Sequence, residues 1–353
     1  MQPRAVARAI DALRRGWPVR VAAADGAWRV MAIEGADAVT LARFDPGGAA
    51  DILLSAARAQ TLKLANQRAA ADPDSAVLVA RTAWIDADVA TAMADPVLDL
   101  ASPLKGPFTA RPLTAPAAAN AALRLARLAG ILPAFFVTQD SDGSDDSVHV
   151  EDIDAYDDAV HLAIATRARL PVSASETAEI VAFRSPDEPR EHVALIVGRR
   201  DASPPVVRLH SECLTGDVLG SLKCDCGPQL HQALHQIADA PWGVLLYLRQ
   251  EGRGIGLVNK LRAYALQDQG FDTVDANVRL GFAIDARDFS VAARMLDLLG
   301  VASVRLLTNN PRKVAGLEAA GIRVEERLPI ILPANPHNER YLATKRDRTG
   351  HQL

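Results

Sequence analysis

The stretch Trp242-Gly-Val-Leu-Leu-Tyr-Leu, which runs directly into Arg249-Gln-Glu-Gly-Arg-Gly-Ile-Gly-Leu257, decides the fold class of this chain. An apolar run that ends in a Gly-rich turn is typical of a buried strand, and a helix is expected from about Leu257. Ser303-Val-Arg-Leu-Leu-Thr repeats this pattern, because it leads into Asn309-Asn-Pro-Arg-Lys. Strands that end in polar and basic side chains are typical of ligand-binding α/β sheets. We therefore predict an α/β (α+β) protein.

The length of 353 residues exceeds the usual size of one domain, about 100 to 200 residues, so two domains are expected. Helical periodicity at the start of the chain and a predicted helix from Asp152 to about Ala165 are followed by a strand-rich pattern. This change predicts a boundary near residue 160. The expected domains are residues 1–160 and 161–353, and each is predicted to be a mixed sheet with packed helices.

Composition restricts the possible partners. A net charge of −4 and an aromatic content of 5% argue against a nucleic-acid-binding protein, but they allow a small anionic ligand. The sequence lacks an apolar run of the roughly 18 residues that span a membrane, and its N-terminus lacks the apolar core of a signal peptide. We expect a cytoplasmic protein with no membrane and no nucleic-acid partner.

The cysteines of the chain form one cluster, Cys213, Cys224 and Cys226. An odd number of thiols in one short stretch suits a metal site better than a disulfide framework. Three such ligands leave the fourth position of a tetrahedral zinc ion for water, as in catalytic sites. Two alternatives stay open at this point: plain packing of small apolar side chains, and a structural zinc whose fourth ligand is His210 or His231.

Further along, residue types that suit a nucleotide follow the predicted strands. Gly252, Gly254 and Gly256 beside Arg249 and Arg253 favour an anion site over a plain turn, because backbone N–H groups of such a loop can approach a phosphate. Tyr264 lies on the predicted helix 257–269, where a half-buried core tyrosine is the alternative. Asp285 and Arg287 lie close to the start of the next helix, where an aspartate is often only a cap.

Together these motifs resemble GTP cyclohydrolase II over about residues 163–353. The segments that carry the resemblance are Arg208-Leu-His-Ser-Glu-Cys-Leu-Thr-Gly-Asp, Lys223-Cys-Asp-Cys-Gly, Arg249-Gln-Glu-Gly-Arg-Gly-Ile-Gly-Leu, Arg262-Ala-Tyr-Ala-Leu-Gln and Leu307-Thr-Asn-Asn-Pro-Arg-Lys. The resemblance implies zinc-dependent hydrolysis of GTP to 2,5-diamino-6-(5-phosphoribosylamino)pyrimidin-4(3H)-one, formate and pyrophosphate. That reaction is the first step of riboflavin biosynthesis, and the family suggests a homodimer.

The resemblance also assigns roles to single residues. Cys213, Cys224 and Cys226 would hold one Zn²⁺ per chain, and Tyr264 would act near the ring-opening chemistry. Asp285 would be the proton acceptor, and Arg287 would be either a nucleophile or a group that stabilises charge on the phosphoryl group. Mg²⁺ is expected for pyrophosphate release. The implied GTP contacts are Arg208, Leu209, His210, Ser211, Glu212, Gln229, Glu251, Gly252, Arg253, Thr273, Thr308 and Lys313.

The first half of the chain is similar to 3,4-dihydroxy-2-butanone 4-phosphate synthase, but in a degenerate form. The similar segments are Ala9-Ile-Asp-Ala-Leu-Arg-Arg-Gly-Trp-Pro-Val, Gly106-Pro-Phe-Thr-Ala-Arg-Pro and Leu123-Arg-Leu-Ala-Arg-Leu-Ala-Gly-Ile-Leu-Pro-Ala. That chemistry needs an acidic metal-binding loop after the first strand and a histidine before the long helix. Here the loop has one carboxylate, Asp25, and the first histidine is His149. We predict an inactive domain that serves dimerisation or stability.

Two other functions remain possible from the sequence. The first is a diverged enzyme that acts on another purine or pyrimidine, against which the presence of Tyr264, Asp285 and Arg287 counts. The second is a non-catalytic nucleotide-binding regulator with a structural zinc, which would bind GTP without releasing formate.

Overall fold

The computed structural model describes residues 3–103, 105–139, 146–156, 161–186, 190–282 and 289–352. The chain divides into two compact units. The first unit consists of Met1–Asp157 together with Ile255–Ala286, and the second consists of Asp158–Gly254 together with Arg287–Leu353. The segment Ile255–Ala286, which was predicted to belong to the second domain, thus clusters with the N-terminal residues.

Both units contain helices and strands. The strands are β1 (Val19–Ala23), β2 (Gly26–Ala32), β3 (Asp51–Leu54), β4 (Val77–Val79), β5 (Ala110–Arg111), β6 (Ala134–Gln139), β7 (Asp146–His149), β8 (Ala163–Arg169), β9 (Glu179–Arg184), β10 (His192–Gly198), β11 (Val206–Ser211), β12 (Trp242–Leu248), β13 (Ser303–Leu307) and β14 (Arg323–Leu328). The α-helices are α1 (Pro3–Arg14), α2 (Ala38–Phe44), α3 (Ala56–Thr61), α4 (Ala87–Ala94), α5 (Pro116–Ala129), α6 (Val150–Tyr156), α7 (Cys226–Ala238), α8 (Leu257–Asp268), α9 (Thr273–Arg279), α10 (Ser290–Leu298), α11 (Pro311–Ala319) and α12 (Glu339–Thr349).

The first unit is built on a mixed sheet with the strand order β5-β4-β3-β6-β2-β1-β7. Its pairings are antiparallel except for β1 with β7, which is parallel. One face packs against α1, α5 and α6, and the other packs against α2, α3 and α4. The long helix α5 begins with Pro116, whose fixed φ suits a first helical turn, and it ends at Gly130 with φ 70°.

Helices α8 and α9 complete the second face of this first unit. Apolar side chains of α8 and α9 and of the residues that flank them lie in the same buried cluster as Met31, Ile33 and Phe136: Ile255, Ala263, Leu266, Ala276, Leu280 and Phe282. Arg262 donates hydrogen bonds to Asp95 (2.9 Å) and Glu34 (3.1 Å). The segment therefore belongs to the core of the first unit.

The second unit contains another mixed sheet, with the order β14-β13-β11-β12-β10-β9-β8. The four strands from β14 to β12 are parallel to one another, and the remaining pairings are antiparallel. Helices α10 and α11 cover one face, and α7 covers the other. Two mixed sheets with packed helices confirm the predicted fold class. The parallel pairing also brings the carboxyl ends of β11, β12 and β13 to one edge of the sheet.

One predicted element was wrong. A single helix was expected from Asp152 to about Ala165, but α6 ends at Tyr156, and residues from Ala163 form the strand β8. Ala163–Arg169 pairs along its length with β9, a long-range interaction that local periodicity does not reveal. None of the helices in the described part of the chain has the length and apolar character needed to cross a membrane.

Candidate metal and nucleotide site

The candidate site lies at the carboxyl-end edge of the parallel strands in the second unit. Strand β11 ends at Ser211 and leads to Cys213, β12 ends at Leu248 before Glu251, and β13 ends at Leu307 before Thr308. Hydrogen bonds join these ends, since the main-chain N–H of Leu214 donates to Oε2 of Glu251 at 2.7 Å. Residues far apart in the sequence thus meet at one edge.

The three cysteines form one group at this edge. Their sulfur atoms lie within 4.8 Å of one another, and Sγ of Cys213 is 3.7 Å from Sγ of Cys224. This distance excludes a disulfide, whose sulfurs are about 2.05 Å apart. It matches a shared zinc ion, since bonds of about 2.3 Å put two corners of a tetrahedron about 3.8 Å apart. The three cysteines form no disulfide, and Cys213 and Cys224 are buried.

Gly216 leaves the space between the sulfurs open. It lies in a single π-helical turn, Leu214–Val218. A Cβ atom at this position would come within 2.8 Å of Sγ of Cys224 and 3.0 Å of Sγ of Cys213. The N–H of Gly216 also donates to Sγ of Cys213 at 3.3 Å, which favours a thiolate. The donor set and the free space both fit a metal ion.

The electrostatics of the group favour a cation. The adjacent Cys213 raises the pKa of Cys224, and the thiols of Cys213 and Cys224 raise that of Cys226 well above its usual value. Three neighbouring thiolates repel one another, and a divalent cation would remove this cost. Among the described residues, no histidine or carboxylate joins the three sulfurs in this group. The alternative in which His210 or His231 closes the shell therefore has no support.

Asp217 organises the same turn, although it was not among the predicted site residues. Its carboxylate accepts hydrogen bonds from the N–H of Cys213 (3.0 Å) and from the hydroxyl of Tyr247 (2.9 Å), and it lies 3.0 Å from Nε2 of His210. The His210 and Tyr247 rings stack with centroids 5.6 Å apart. Burial raises the pKa of Tyr247, and the charge of Asp217 adds to this, so the phenol stays a donor.

His210 directs Nε2 toward Asp217, and its burial favours the neutral ring. Burial lowers the pKa of His210, the charges of Arg208 and Lys313 lower it further, and Asp217 opposes them. If Nε2–H donates to Asp217, then Nδ1 is an acceptor, and among the described residues this buried atom has no hydrogen-bond partner. The buried Oγ of Ser211 likewise has none within the described ranges. Both atoms could serve a ligand.

A second network connects the cysteine turn to the sheet. Arg208 donates to Oε1 of Gln229 at 2.5 Å and to the carbonyl of Leu307 at 3.0 Å. Gln229 in turn donates from Nε2 to Asp225 at 2.6 Å, and Lys345 donates to the other carboxylate oxygen of Asp225 at 2.8 Å. Burial alone would raise the pKa of Asp225, but the charge of Lys345 and its hydrogen bond hold it below its usual value. Asp225 and Lys345 were not among the predicted site residues.

The remaining predicted GTP contacts in this unit lie at the same edge. Lys313 is buried and donates from Nζ to the carbonyl of Leu209 at 2.7 Å. The side chain of Leu209 lies in the core, so a ligand could meet only its backbone. Thr308 is buried and accepts from the N–H of Asn310 at 3.0 Å. Glu212 accepts from Nε of Arg249 at 2.8 Å.

The Gly-rich loop begins with a short 3₁₀ turn, Glu251–Gly254. Glu251 is buried and also accepts from the N–H of Gly252 at 3.0 Å, and Gly252 has φ 61°. Arg253 lies within this turn. The loop thus has the backbone conformation that glycine favours, next to the cysteine turn.

Some predicted site residues fall elsewhere. Tyr264 on α8 and Thr273 at the start of α9 belong to the first unit. Lys260 lies over the Tyr264 ring, with Nζ 5.8 Å from its centroid, and the hydroxyl of Thr273 accepts from Gln267 at 3.2 Å. Asp285 and Arg287 lie outside the described residues.

The loop that contains Asp25 forms the tight turn between β1 and β2 of the first unit. The synthase chemistry would need metal-binding carboxylates in this loop. Asp25 accepts a hydrogen bond from the N–H of Ala117 at 2.7 Å, so its carboxylate caps the first turn of α5. A cavity of about 490 Å³ adjoins this turn and is lined by Arg20, Thr114 and Gln139 among others.

Comparison with known proteins identifies the family. The sequence model for GTP cyclohydrolase II matches residues 163–329. A GTP cyclohydrolase-2 from Azospirillum brasilense is 45% identical over 367 residues, covering 99% of this chain and 94% of that protein. Because this similarity extends over almost the full length of both proteins, the chain belongs to the GTP cyclohydrolase II family and is an enzyme of that family. The resemblance drawn from the motifs is confirmed.

Other relatives match the second half of the chain. A GTP cyclohydrolase-2 from Azotobacter vinelandii is 61% identical over 165 residues, which cover 46% of this chain and 79% of that protein. The riboflavin biosynthesis protein RibBA from Bacillus subtilis is 55% identical over 179 residues, covering 50% of this chain and 45% of that protein. A solved two-domain 3,4-dihydroxy-2-butanone 4-phosphate synthase from A. baumannii aligns with 93% of this chain and 99% of that chain, at 19% identity and a TM-score of 0.32. A score this low supports no conclusion.

Proposed function

We propose that this chain hydrolyses GTP to 2,5-diamino-6-(5-phosphoribosylamino)pyrimidin-4(3H)-one, formate and pyrophosphate, and that it needs zinc to do so. The observation that carries the proposal is the three-cysteine group at the carboxyl-end edge of the parallel strands, next to Arg208, Gln229 and Glu251. Metal ligands and groups that suit a purine nucleotide thus share one edge of the sheet.

Cys213, Cys224 and Cys226 would hold one zinc ion. A zinc ion bound by three protein ligands supplies a water molecule whose pKa is lowered to about 7. The neighbouring residues of this chain would position the guanine. His210 offers the buried Nδ1 atom as an acceptor, and its orientation is held by Asp217.

The guanine base and the phosphates of GTP would be bound by different side chains. Gln229 and Glu251 suit the hydrogen-bonding edge of guanine, because amide and carboxylate oxygens accept from its N–H groups. Arg208, Arg253 and Lys313 suit phosphate oxygens, since their cations form charge-assisted hydrogen bonds. The other contacts that we propose are Leu209, Ser211, Glu212, Gly252, Thr273 and Thr308.

Three further residues keep roles that rest on the family resemblance. Tyr264 would act during ring opening, Asp285 would accept a proton, and Arg287 would act on the α-phosphate as nucleophile or as a stabilising cation. Mg²⁺ would neutralise charge on the pyrophosphate. We place this reaction as the first step of riboflavin biosynthesis.

The first unit is proposed to have no synthase activity. Asp25, the carboxylate of its β1–β2 turn, caps α5, and the first histidine of the chain is His149. A homodimer, the cytoplasmic location and the absence of nucleic-acid and membrane partners remain predictions. Size-exclusion chromatography with light scattering would test the homodimer.

The proposed reaction is tested by incubating zinc-loaded protein with GTP and Mg²⁺ while formate, pyrophosphate and the released pyrimidine are measured. Cys224→Ser should release no formate, because it removes one zinc ligand. Val218→Ala is the matched control, since Val218 is exposed on the same turn, and it should behave as the unaltered protein.

The outcomes separate the alternatives. All three products from the unaltered protein, with formate lost in Cys224→Ser, would support the proposal. Pyrophosphate without formate in the unaltered protein would mean that the zinc assignment is wrong. GTP binding with neither product would favour a regulator, and release of formate from a different purine nucleotide but not from GTP would favour a diverged enzyme.

A further inference from the structure

The C-terminal helix α12 buries a lysine against the cysteine turn. The side chain of Lys345 is 11% exposed, whereas that of Arg346, the next residue, is 61% exposed. The ammonium group of Lys345 donates to Oδ1 of Asp225 at 2.8 Å and also lies 4.3 Å from the centroid of the Tyr341 ring. Burial of an ammonium ion is costly without a partner of opposite charge, so the pair with Asp225 is what permits this position.

Asp225 is the residue between two of the cysteines. It stands at the N-cap position of α7, where an aspartate usually accepts a hydrogen bond from the helix backbone, yet its side chain makes no such bond. Its carboxylate turns instead to Lys345 and to Nε2 of Gln229, which donates at 2.6 Å. The usual structural role of an aspartate at this position is therefore replaced by side-chain contacts.

These contacts continue to a proposed nucleotide ligand. Because Nε2 of Gln229 donates to Asp225, its Oε1 atom faces the opposite way and accepts from Arg208 at 2.5 Å. Arg208 is also held by the carbonyl of Leu307 at 3.0 Å. Lys345 thus helps to orient both Gln229 and Arg208, because it holds the carboxylate of Asp225 in place.

The helix itself is anchored beyond Lys345. Gly350, which follows the last helical residue, has φ 68°, and the N–H of His351 donates to the carbonyl of Lys345 at 3.1 Å. The N–H of Gln352 then donates to the carbonyl of Asn309 at 2.9 Å, immediately after Thr308. The second of these bonds attaches the segment after α12 to the polar end of β13.

We propose that Lys345 is a positioning residue that balances the charge of Asp225 and so holds both the Cys224–Cys226 turn and the Gln229–Arg208 pair. The proposal rests on the function proposed above. Without the ammonium group, the Asp225 carboxylate would lose the hydrogen bond that holds it in place and would turn away from its present position. This change would release Gln229 and loosen the backbone that joins two metal ligands.

The test compares Lys345→Met, which removes the charge but keeps the length, with Lys345→Arg, which keeps the charge. The measurements are the rate of zinc transfer to a chromogenic chelator, the visible spectrum of the Co²⁺-substituted protein, and KM and kcat for GTP. Lys345→Met should lose zinc about 10- to 100-fold faster, as expected when a partner outside the metal ligands is removed. KM should rise more than kcat falls, because Gln229 and Arg208 are proposed to bind the substrate. Lys345→Arg should have smaller effects than Lys345→Met on both the rate of zinc loss and KM.

Arg346→Met is the matched control, because Arg346 is an exposed cation on the same helix. It should match the unaltered protein in every measurement. The double variant Lys345→Met with Asp225→Asn should retain zinc better than Lys345→Met alone, since no unbalanced carboxylate is left. If Lys345→Met does not fold, Lys345→Gln takes its place in the same measurements, because it also removes the charge, and it should show the same faster zinc loss.

Each result has a defined meaning. Normal zinc release and normal KM in Lys345→Met would overturn the role of Lys345 while leaving the proposed function intact. Equal losses in Lys345→Met and Arg346→Met would also overturn it, since they would reflect the helix and not the buried charge. An unaltered protein that binds no zinc and releases no formate would overturn both proposals.

Discussion

Arg208 donates a hydrogen bond from its guanidinium to Oε1 of Gln229 at 2.5 Å, although the two residues are 21 positions apart, one on β11 and the other on α7. Both residues were predicted to bind GTP. Their contact orients the amide of Gln229 before a ligand arrives, because Nε2 is committed to Asp225. Preorganisation of this kind lowers the cost of binding.

The Arg208–Gln229 contact leads to a prediction about substrate binding. Gln229→Leu should raise KM for GTP about tenfold or more, because a buried guanidinium loses its acceptor and the guanine loses an amide. The zinc content should stay normal. Steady-state kinetics with metal analysis would check both, and Gln236→Leu, at a half-buried position of the same helix, should leave KM unchanged. A normal KM in Gln229→Leu would argue against a role in binding.

Gly216 should be intolerant of any side chain. In Gly216→Ala, the added methyl group would lie 2.8 Å from Sγ of Cys224 and 3.0 Å from Sγ of Cys213, so the sulfurs must move apart. We expect zinc stoichiometry to fall well below one per chain and formate release to be lost. Gly47→Ala is the control, since a Cβ atom there meets nothing within 4 Å. Full zinc occupancy in Gly216→Ala would contradict the proposed geometry.

The sequence predicted the parts of the fold that local pattern controls. The apolar run Trp242–Leu248 is the buried strand β12, and Gly130 ends α5 as expected. The clustering of the cysteines in the sequence also pointed to their meeting in space. In these cases a short stretch contains the information, because burial and helix termination depend on neighbouring residues.

Long-range pairing and burial could not be predicted in the same way. Ala163–Arg169 forms a strand because it pairs with β9, and Ile255–Ala286 joins the first unit because its apolar side chains complete that core. Lys345 lies in a highly charged helix, where a lysine is expected to be solvated. Lys345 is a buried cation only because the folded chain places Asp225 beside it. Asp217 was missed because nothing in its local sequence shows three donors converging on it.

We predict that the first unit loses stability when the ion pairs that hold α8 are removed. Arg262→Met would remove two ion pairs, with Glu34 at 3.1 Å and Asp95 at 2.9 Å, and would leave both carboxylates partly buried. We expect the free energy of unfolding to fall by about 2 kcal/mol, and the melting temperature by several degrees. Arg15→Met is the control, because Arg15 pairs with Asp11 on the surface, where an ion pair contributes little to stability. Equal effects of both changes, measured by thermal unfolding, would show that α8 is not held in this way.

Asp45 should make the stability of the first unit depend on pH. Its carboxylate is buried and accepts from the N–H groups of Ala49 and Ala50, each at 2.8 Å, and from Arg81 at 2.6 Å. Burial alone would raise the pKa of Asp45, but these donors outweigh that effect and hold the pKa below its usual value. The stabilisation is therefore present above the unfolded-state pKa of about 3.9 and is lost as the pH falls through the lower folded-state pKa.

Asp45→Asn should accordingly reduce the free energy of unfolding by about 2 kcal/mol at pH 7, since hydrogen bonds to a charged group are lost. The difference from the unaltered protein should shrink as the pH drops below about 4, where the Asp45 carboxylate of the unfolded chain takes up a proton, and it should disappear below the lower pKa of the folded protein. Urea unfolding followed by circular dichroism between pH 7 and pH 3 measures this difference. Asp74→Asn, at an exposed position, should show no comparable trend. A difference for Asp45→Asn that stays constant over this range would mean that its charge does not contribute, and that the loss reflects packing alone.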